Sequence, residues 1–304
     1  MNRRILSDLF VIRHPQDVLR EVLQCVGFEG NPQEGLLVGK AYTLARELYQ
    51  GNWPNYAGCD TPYHDFAHAA ETFLCMGRLL SGARLASTGI GPQDIARGLT
   101  AAILHDTGYI RKSEEASGHG ARFHAEHEVR SMDFLAEHAQ AVGLETQGVA
   151  DCRAMIQGTM MAQDVNAMAF RSETQELLVR MLSVADLLAQ LSSATYLERL
   201  AFLYEEDQET GSSRYRGLLD CYQQAIGFDK RARTRIKAHF PQTEAFLILH
   251  FTGRWNTAAD LYRISMDRQI RYLSAAVAGD RFDPRRQLRR WGSLRDLQRL
   301  MTGN

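Results

Sequence analysis

Apolar residues recur along this chain at spacings of three and four in almost every window, and no convincing series of alternating β-branched residues appears. That period collects side chains on one stripe of a helix. It predicts helices over 16–29, 35–50, 66–80, 94–106, 124–140, 147–160, 173–206, 213–226, 229–239, 242–252 and 256–278. The expected fold class is therefore all-α, a helical bundle. In the third segment Pro62 suits a first helical turn, and Phe66, Ala69, Ala70, Phe73, Leu74 and Gly77 mark the buried stripe. The turn-rich stretches Gly51-Asn52-Trp53-Pro54-Asn55 and Glu209-Thr210-Gly211-Ser212-Ser213 bracket a central core, residues 56–210. N-terminal helices in 1–55 and C-terminal helices in 211–304 flank it.

With 304 residues and 45% apolar content, the chain can bury a sizeable core. A formal net charge of −1 gives no global reason to expect nucleic-acid or membrane binding. Five scattered cysteines without a CxxC pair fit a reducing compartment. The start Met1-Asn2-Arg3-Arg4 precedes too short an apolar run for a signal peptide, and no stretch approaches ~20 apolar residues. A cytoplasmic protein without a membrane span is the expectation. From Arg281 to Asn304 the chain carries seven arginines against two aspartates, with Leu288, Trp291, Leu294, Leu297 and Leu300 three apart. A basic amphipathic helix of this kind can meet an acidic partner, an anionic membrane or a nucleic acid. More often it lays its stripe on its own body or on a second subunit, as in a homodimer.

Four segments concentrate imidazoles and carboxylates: Tyr63-His64-Asp65-Phe66-Ala67-His68, Leu104-His105-Asp106-Thr107-Gly108-Tyr109, His124-Ala125-Glu126-His127-Glu128 and Val184-Ala185-Asp186-Leu187. Neutral imidazole nitrogen with hard carboxylate oxygen is a donor mixture that Zn, Mn, Fe or Mg accepts. On a helix His64 and His68 share a face with Cβ atoms about 5–6 Å apart, close enough to serve one centre. A core histidine beside a surface histidine is the plain alternative for such a pair. Adjacent His105 and Asp106 leave a helix about 100° apart, so both reach one ion only near the helix end. Asp186 stands within Leu177–Leu191, a stretch so apolar that most of its faces are buried. A carboxylate there needs a cation or several hydrogen bonds, and the nearest preceding arginine, Arg180, is six positions back. A metal is the economical partner.

In order and type these parts resemble the HD superfamily of metal-dependent phosphohydrolases, with its pattern H…HD…D. Tyr63 to Ala69 also resembles the first motif of the class I cyclic-nucleotide phosphodiesterases, YHNxxHA, and Ala185-Asp186-Leu187 resembles their ADL motif. The resemblance implies that His68, His105, Asp106 and Asp186 hold a first divalent ion, that Asp106 bridges to a second, and that His64 is a general acid. The chain departs from those phosphodiesterases at Asp65, where they have asparagine, and at Tyr109, where they have histidine. His124 and His127, three apart, either ligate the second ion or orient phosphate and water by hydrogen bonds.

The implied reaction is hydrolysis of a phosphoester, foremost a phosphodiester such as a cyclic nucleotide. Bound metal lowers the pKa of water from about 15.7 towards roughly 7, providing hydroxide at neutral pH. A histidine acid at the leaving oxygen is worth about 10²–10⁴-fold. Asp65 or Glu128 would tune His64, and Tyr109 lines the site. The alternatives are a nucleotide phosphomonoester or triphosphate hydrolase, an HD-type di-iron oxygenase, and a silent binding module.

Overall fold

The computed structural model describes residues 5–10, 12–30, 32–115, 117–279 and 282–302. The N-terminal Met1-Asn2-Arg3-Arg4 and, in the arginine-rich tail, Arg281, Gly303 and Asn304 lie outside the described residues. Among those described, all regular elements are helical, and the extended chain makes one isolated bridge, Tyr56 to Lys112. The first half runs through α1 (Pro15–Val26), α2 (Pro32–Tyr49), α3 (Phe66–Leu85), α4 (Pro92–Leu104), α5 (His127–Glu137), α6 (Ala139–Val142) and α7 (Thr146–Thr159). The second runs through α8 (Glu173–Ser192), α9 (Tyr196–Glu209), α10 (Leu218–His239), α11 (Thr243–Trp255), α12 (Leu261–Val277), α13 (Pro284–Gln287) and α14 (Trp291–Thr302). The expected all-α class is the observed one.

Helix α3 is the axis of the bundle, buried along nearly its whole length and packed by α1, α4, α8, α11 and α14. So many neighbours fit because small residues admit them. At Gly82 a β-carbon would run into the Phe246 carbonyl of α11. Asp65 begins the helix as its N-cap, its carboxylate accepting the His68 backbone N–H at 3.0 Å. His64 therefore lies before the helix rather than in its first turn, and Pro62 is outside it.

Of the boundaries that differ from the sequence expectation, the segment 124–140 becomes helical only at His127 and breaks at His138 between α5 and α6, and another boundary builds the site. The apolar run 173–206 is not one helix: it breaks after Ser192, and α9 leaves α8 at 107°. No proline or glycine marks the break. Ser193 bonds Glu71 through its hydroxyl, at 2.9 Å, and its hydroxyl also receives the Thr195 N–H, side-chain bonding that competes with helix continuation. The turn carries α9 back to the chain just before α3, where Glu206 meets Tyr63 and His64. Conversely, 213–226 and 229–239 join into α10, which runs through Gly227 without interruption.

One hydrophobic core extends from Leu9 to Met301. Helix α14 lays its stripe on α3 and α9, burying Leu294 and Met301, so the terminal helix packs on its own body. Among the described residues no single helix is long and apolar enough to cross a membrane.

Candidate metal centre

Three backbone devices converge on one point. The first turn of α3 presents His68, the end of α4 presents His105 with Asp106 in the turn that follows, and α8 presents Asp186. His68 Nε2 lies 3.3 Å from Asp106 Oδ2 and 3.1 Å from Asp186 Oδ1. His105 Nε2 lies 3.3 and 3.5 Å from the same two oxygens. His68, His105 and Asp106 form a buried group that could hold a metal ion, and Asp186 closes the ring opposite Asp106.

Hydrogen bonding indicates what this ring needs. His105 Nδ1 faces the Ala102 carbonyl at 2.9 Å, which requires that Nδ1 carry the proton and donate. In the neutral tautomer Nε2 then turns a lone pair towards two carboxylates, and this buried atom has no hydrogen-bond partner. Lone pair against carboxylate is repulsive unless a cation stands between them. Without metal that cation is a proton. Burial opposes charge on His68, yet the hydrogen bonds that Asp106 and Asp186 accept from it outweigh burial and raise the imidazole to about 9. His105 is raised well above the usual histidine range against the same burial, chiefly by Asp106. Burial pushes Asp106 up, but His105 and His68 prevail and hold it well below the carboxylate range, and Asp186 is lowered by the same imidazoles. Two nitrogens and two carboxylates that demand positive charge fit a divalent ion.

A pH dependence follows. His68 titrates at about 9 when folded and about 6.5 when unfolded, so its ion pairs stabilise fully below about pH 6.5 and are lost as pH rises through 9. That is on the order of 2–3 kcal/mol, or several degrees of melting temperature. Chelator-treated protein should lose those degrees between pH 6.5 and 9.5, while protein loaded with Mn or Zn should not. Parallel melting curves with and without metal would show that no ion replaces these protons.

The opposite oxygen of Asp106 faces elsewhere. His127 Nε2 lies 3.5 Å from Oδ1, while its Nδ1 faces the His124 carbonyl at 2.8 Å. Asp106 thus stands between the His68–His105 pair and His127. Gly108 allows this approach: α5 backs so closely onto the 106–109 turn that a β-carbon at 108 would run into the His127 carbonyl. The Gly108 N–H donates to Ser131 Oγ at 2.8 Å, and Arg130 Nε donates to the Gly108 carbonyl at 2.7 Å. His124, just ahead of α5, turns its Nδ1 to the Tyr109 hydroxyl at 2.8 Å, and burial with the nearby His64 and His127 lowers it to about 4. Of the two histidines, His127 is the one that reaches Asp106.

Tyr109 stacks on two imidazoles, His64 at 4.3 Å and His127 at 4.4 Å between ring centroids. Its hydroxyl lies 3.4 Å from His64 Nε2. His64 Nδ1 is 2.7 Å from Glu206 Oε2, and Glu206 Oε1 accepts the Tyr63 N–H at 2.6 Å and the His64 N–H at 3.3 Å. Glu206, on α9, is absent from the sequence expectation. Asp65 is not the residue that attends His64. Its carboxylate is engaged by the His68 N–H, by Arg199 at 3.0 Å and by Gln298 of α14 at 3.1 Å, so it fixes the start of α3. Glu128 is buried, which pushes its carboxyl up, and lies 3.3 Å from His127 Nδ1.

Tyr63, His64, His68, Asp106, Tyr109 and Asp186 line a cavity of about 140 Å³, whose wall also includes Leu187, Leu203, Phe228, Arg214 and Arg231. Neither a scan against protein-family models nor a search of curated proteins finds a match to this chain.

Proposed function

We propose that this chain is a metal-dependent phosphoesterase of the HD type that prefers diesters. One observation carries the reading: His68, Asp106 and Asp186 of the ring line the same small pocket as His64, an imidazole that Glu206 holds by its Nδ1. His68, His105, Asp106 and Asp186 would hold a divalent ion, and Asp106 with His127 a second. Such ions supply charge that offsets phosphate repulsion and acidifies water.

The remaining work belongs to the side chains. Glu206 accepts from His64 Nδ1–H, which fixes the orientation of the ring and leaves Nε2 as the atom that would carry the transferred proton. The Nε2 proton is then available to a leaving oxygen placed within about 2.6–3.2 Å. Stacking on Tyr109 holds the plane of His64, so little orientation is lost between turnovers. After transfer, neutral His64 keeps its Nδ1–H on Glu206. Leu187, Leu203 and Phe228 keep water from the proton path. The cavity is smaller than the roughly 300 Å³ of a typical ligand pocket, so it suits the phosphoester group, with the rest of the substrate at the mouth.

A diester leaves one ester oxygen facing His64 and tolerates a second ester group. Bis(nitrophenyl) phosphate or a cyclic nucleotide should therefore be cleaved faster than the matching monoester with Mn or Mg. One specific feature favours a second reading, a nucleotide monoester or triphosphate hydrolase. Exposed Arg214 and Arg231 stand at the mouth without a carboxylate partner among the described residues, and further phosphates would pair with them. Metal analysis of protein purified without chelator, followed by a panel of diesters, monoesters and triphosphates under air and under anaerobic conditions, decides between them. Much faster cleavage of monoesters or triphosphates with every metal replaces the diesterase reading. Oxygen-dependent turnover without phosphate release replaces both with a di-iron oxygenase.

A further inference from the structure

A second cavity stands apart from the metal pocket. It measures about 930 Å³, is partly open to solvent, and lies against other faces of α3 and α8, lined also by α12, α14 and the chain near Phe10 and Ile12. Its walls are mainly apolar, with Leu74, Leu197, Leu297 and Leu300 facing in. That volume falls within the range of sites for small organic ligands, about 300–1,000 Å³.

One residue in its lining is out of character. Arg78 is only 2% exposed, the bulkiest of the fully buried side chains. A guanidinium stays charged, so burial calls for a counter-charge. Among the described residues no carboxylate pairs with it. Its Nη1 donates to the Tyr262 hydroxyl at 3.0 Å, and the group sits 5.6 and 5.7 Å from the ring centroids of Tyr262 and Phe251. Nε is buried without a partner. Ring faces and a hydroxyl hold the cation in place but do not neutralise it.

The acidic side chains of the lining do not supply the missing charge. Glu198 accepts the Arg290 backbone N–H at 2.8 Å, and Asp296 is exposed. Glu71 precedes Arg78 on α3 by seven residues, about 10 Å along the helix, and accepts from Ser193. Between them Leu74 presents an apolar surface. Arg268 and Arg289, both exposed, add positive charge to the lining without carboxylate partners among the described residues.

We propose that this cavity binds an amphiphilic anion, a carboxylate-headed aliphatic chain whose head neutralises Arg78 and whose chain lies on the leucine wall. The site is separate from the metal pocket and does not depend on the reaction assigned there.

The probe is dodecanoate, titrated into the full-length protein below its micellar concentration and followed by calorimetry. Acetate, dodecanol and dodecyltrimethylammonium serve as the head alone, the chain alone and the opposite charge. One saturable site for dodecanoate is expected, with each control weaker by roughly tenfold or more. Arg78→Met should lose that affinity by a similar factor while melting no lower than the parent without ligand, since it removes an unpaired buried charge. Leu297→Trp should lose the affinity by filling the cavity while leaving Arg78 in place. Equal affinity for dodecyltrimethylammonium, undiminished dodecanoate binding in both variants, or no saturable binding to the parent protein overturns the proposal. If Arg78→Met does not fold, Leu297→Trp and the head-group series still decide it.

Discussion

Asp106→Asn should purify nearly free of metal and show no measurable turnover. The substitution preserves shape and removes one negative charge from the ring's central carboxylate. Asp106 is the carboxylate that touches both sides: Oδ2 faces His68 and His105 at 3.3 Å, and Oδ1 faces His127 at 3.5 Å. Loss of a residue that merely orients a ligand typically costs 10–100-fold in metal affinity or activity, about the least that a direct ligand should cost. Emission spectroscopy for bound metal and a diesterase assay check the two halves. Full metal stoichiometry with retained turnover would show that Asp106 holds no ion. Its burial predicts a further effect: the amide removes a partner that His68 and His105 need when protonated, so metal-free Asp106→Asn should melt below the metal-free parent.

His64→Ala should separate chemistry from binding. The ring lies outside the four-residue metal group, so metal content should stay at the parent level while turnover of an alkyl diester falls by about 10²–10⁴-fold. A nitrophenyl ester, whose leaving group departs without a proton, should lose far less. Comparable losses on both esters would remove His64 from the acid role. Glu206→Gln should reproduce the same leaving-group dependence with a smaller loss, because the amide oxygen still accepts from Nδ1 but through a weaker bond than the charged carboxylate makes. A loss independent of leaving group would assign Glu206 to structure alone, since it also receives the Tyr63 and His64 backbone N–H groups.

The His68–His105–Asp106–Asp186 ring is more legible in the chain than the His64–Glu206 pair beside it, for physical reasons. Asp186 interrupts a run so apolar that a buried charge has to be explained, and His105-Asp106 ends a helix that the period of Leu99, Ala102 and Ile103 defines. Glu206 carries no such mark. It lies in Tyr204-Glu205-Glu206-Asp207-Gln208-Glu209, which reads as a solvated acidic face, and its partner is 142 positions away. Only the turn at Ser193–Thr195 brings it in, and that turn rests on side-chain hydrogen bonds rather than on a proline or glycine. Asp65 shows the reverse difficulty. Its place beside His64 suggests an electrostatic tuner, whereas capping α3 and pairing with Arg199 use its oxygens. Local spacing also placed His64 and His68 on one helical turn. They do meet near one pocket, with ring centroids 6.1 Å apart, but through a bend that ends on the extended N-cap Asp65 rather than through helical periodicity.

The contact at Gly108 bears on how such a site can change over evolutionary time. With α5 seated against the backbone of the 106–109 turn, the separation between Asp106 and His127 is a main-chain quantity, fixed by the absence of one methyl group. Side-chain substitutions can alter which donors line the ring, but they cannot gradually widen it. New ion sizes or larger reacting groups are therefore reachable by exchanging donors, or by remaking the connection that leads from residue 110 into α5. The intermediate route, a slow loosening of the existing frame, is closed.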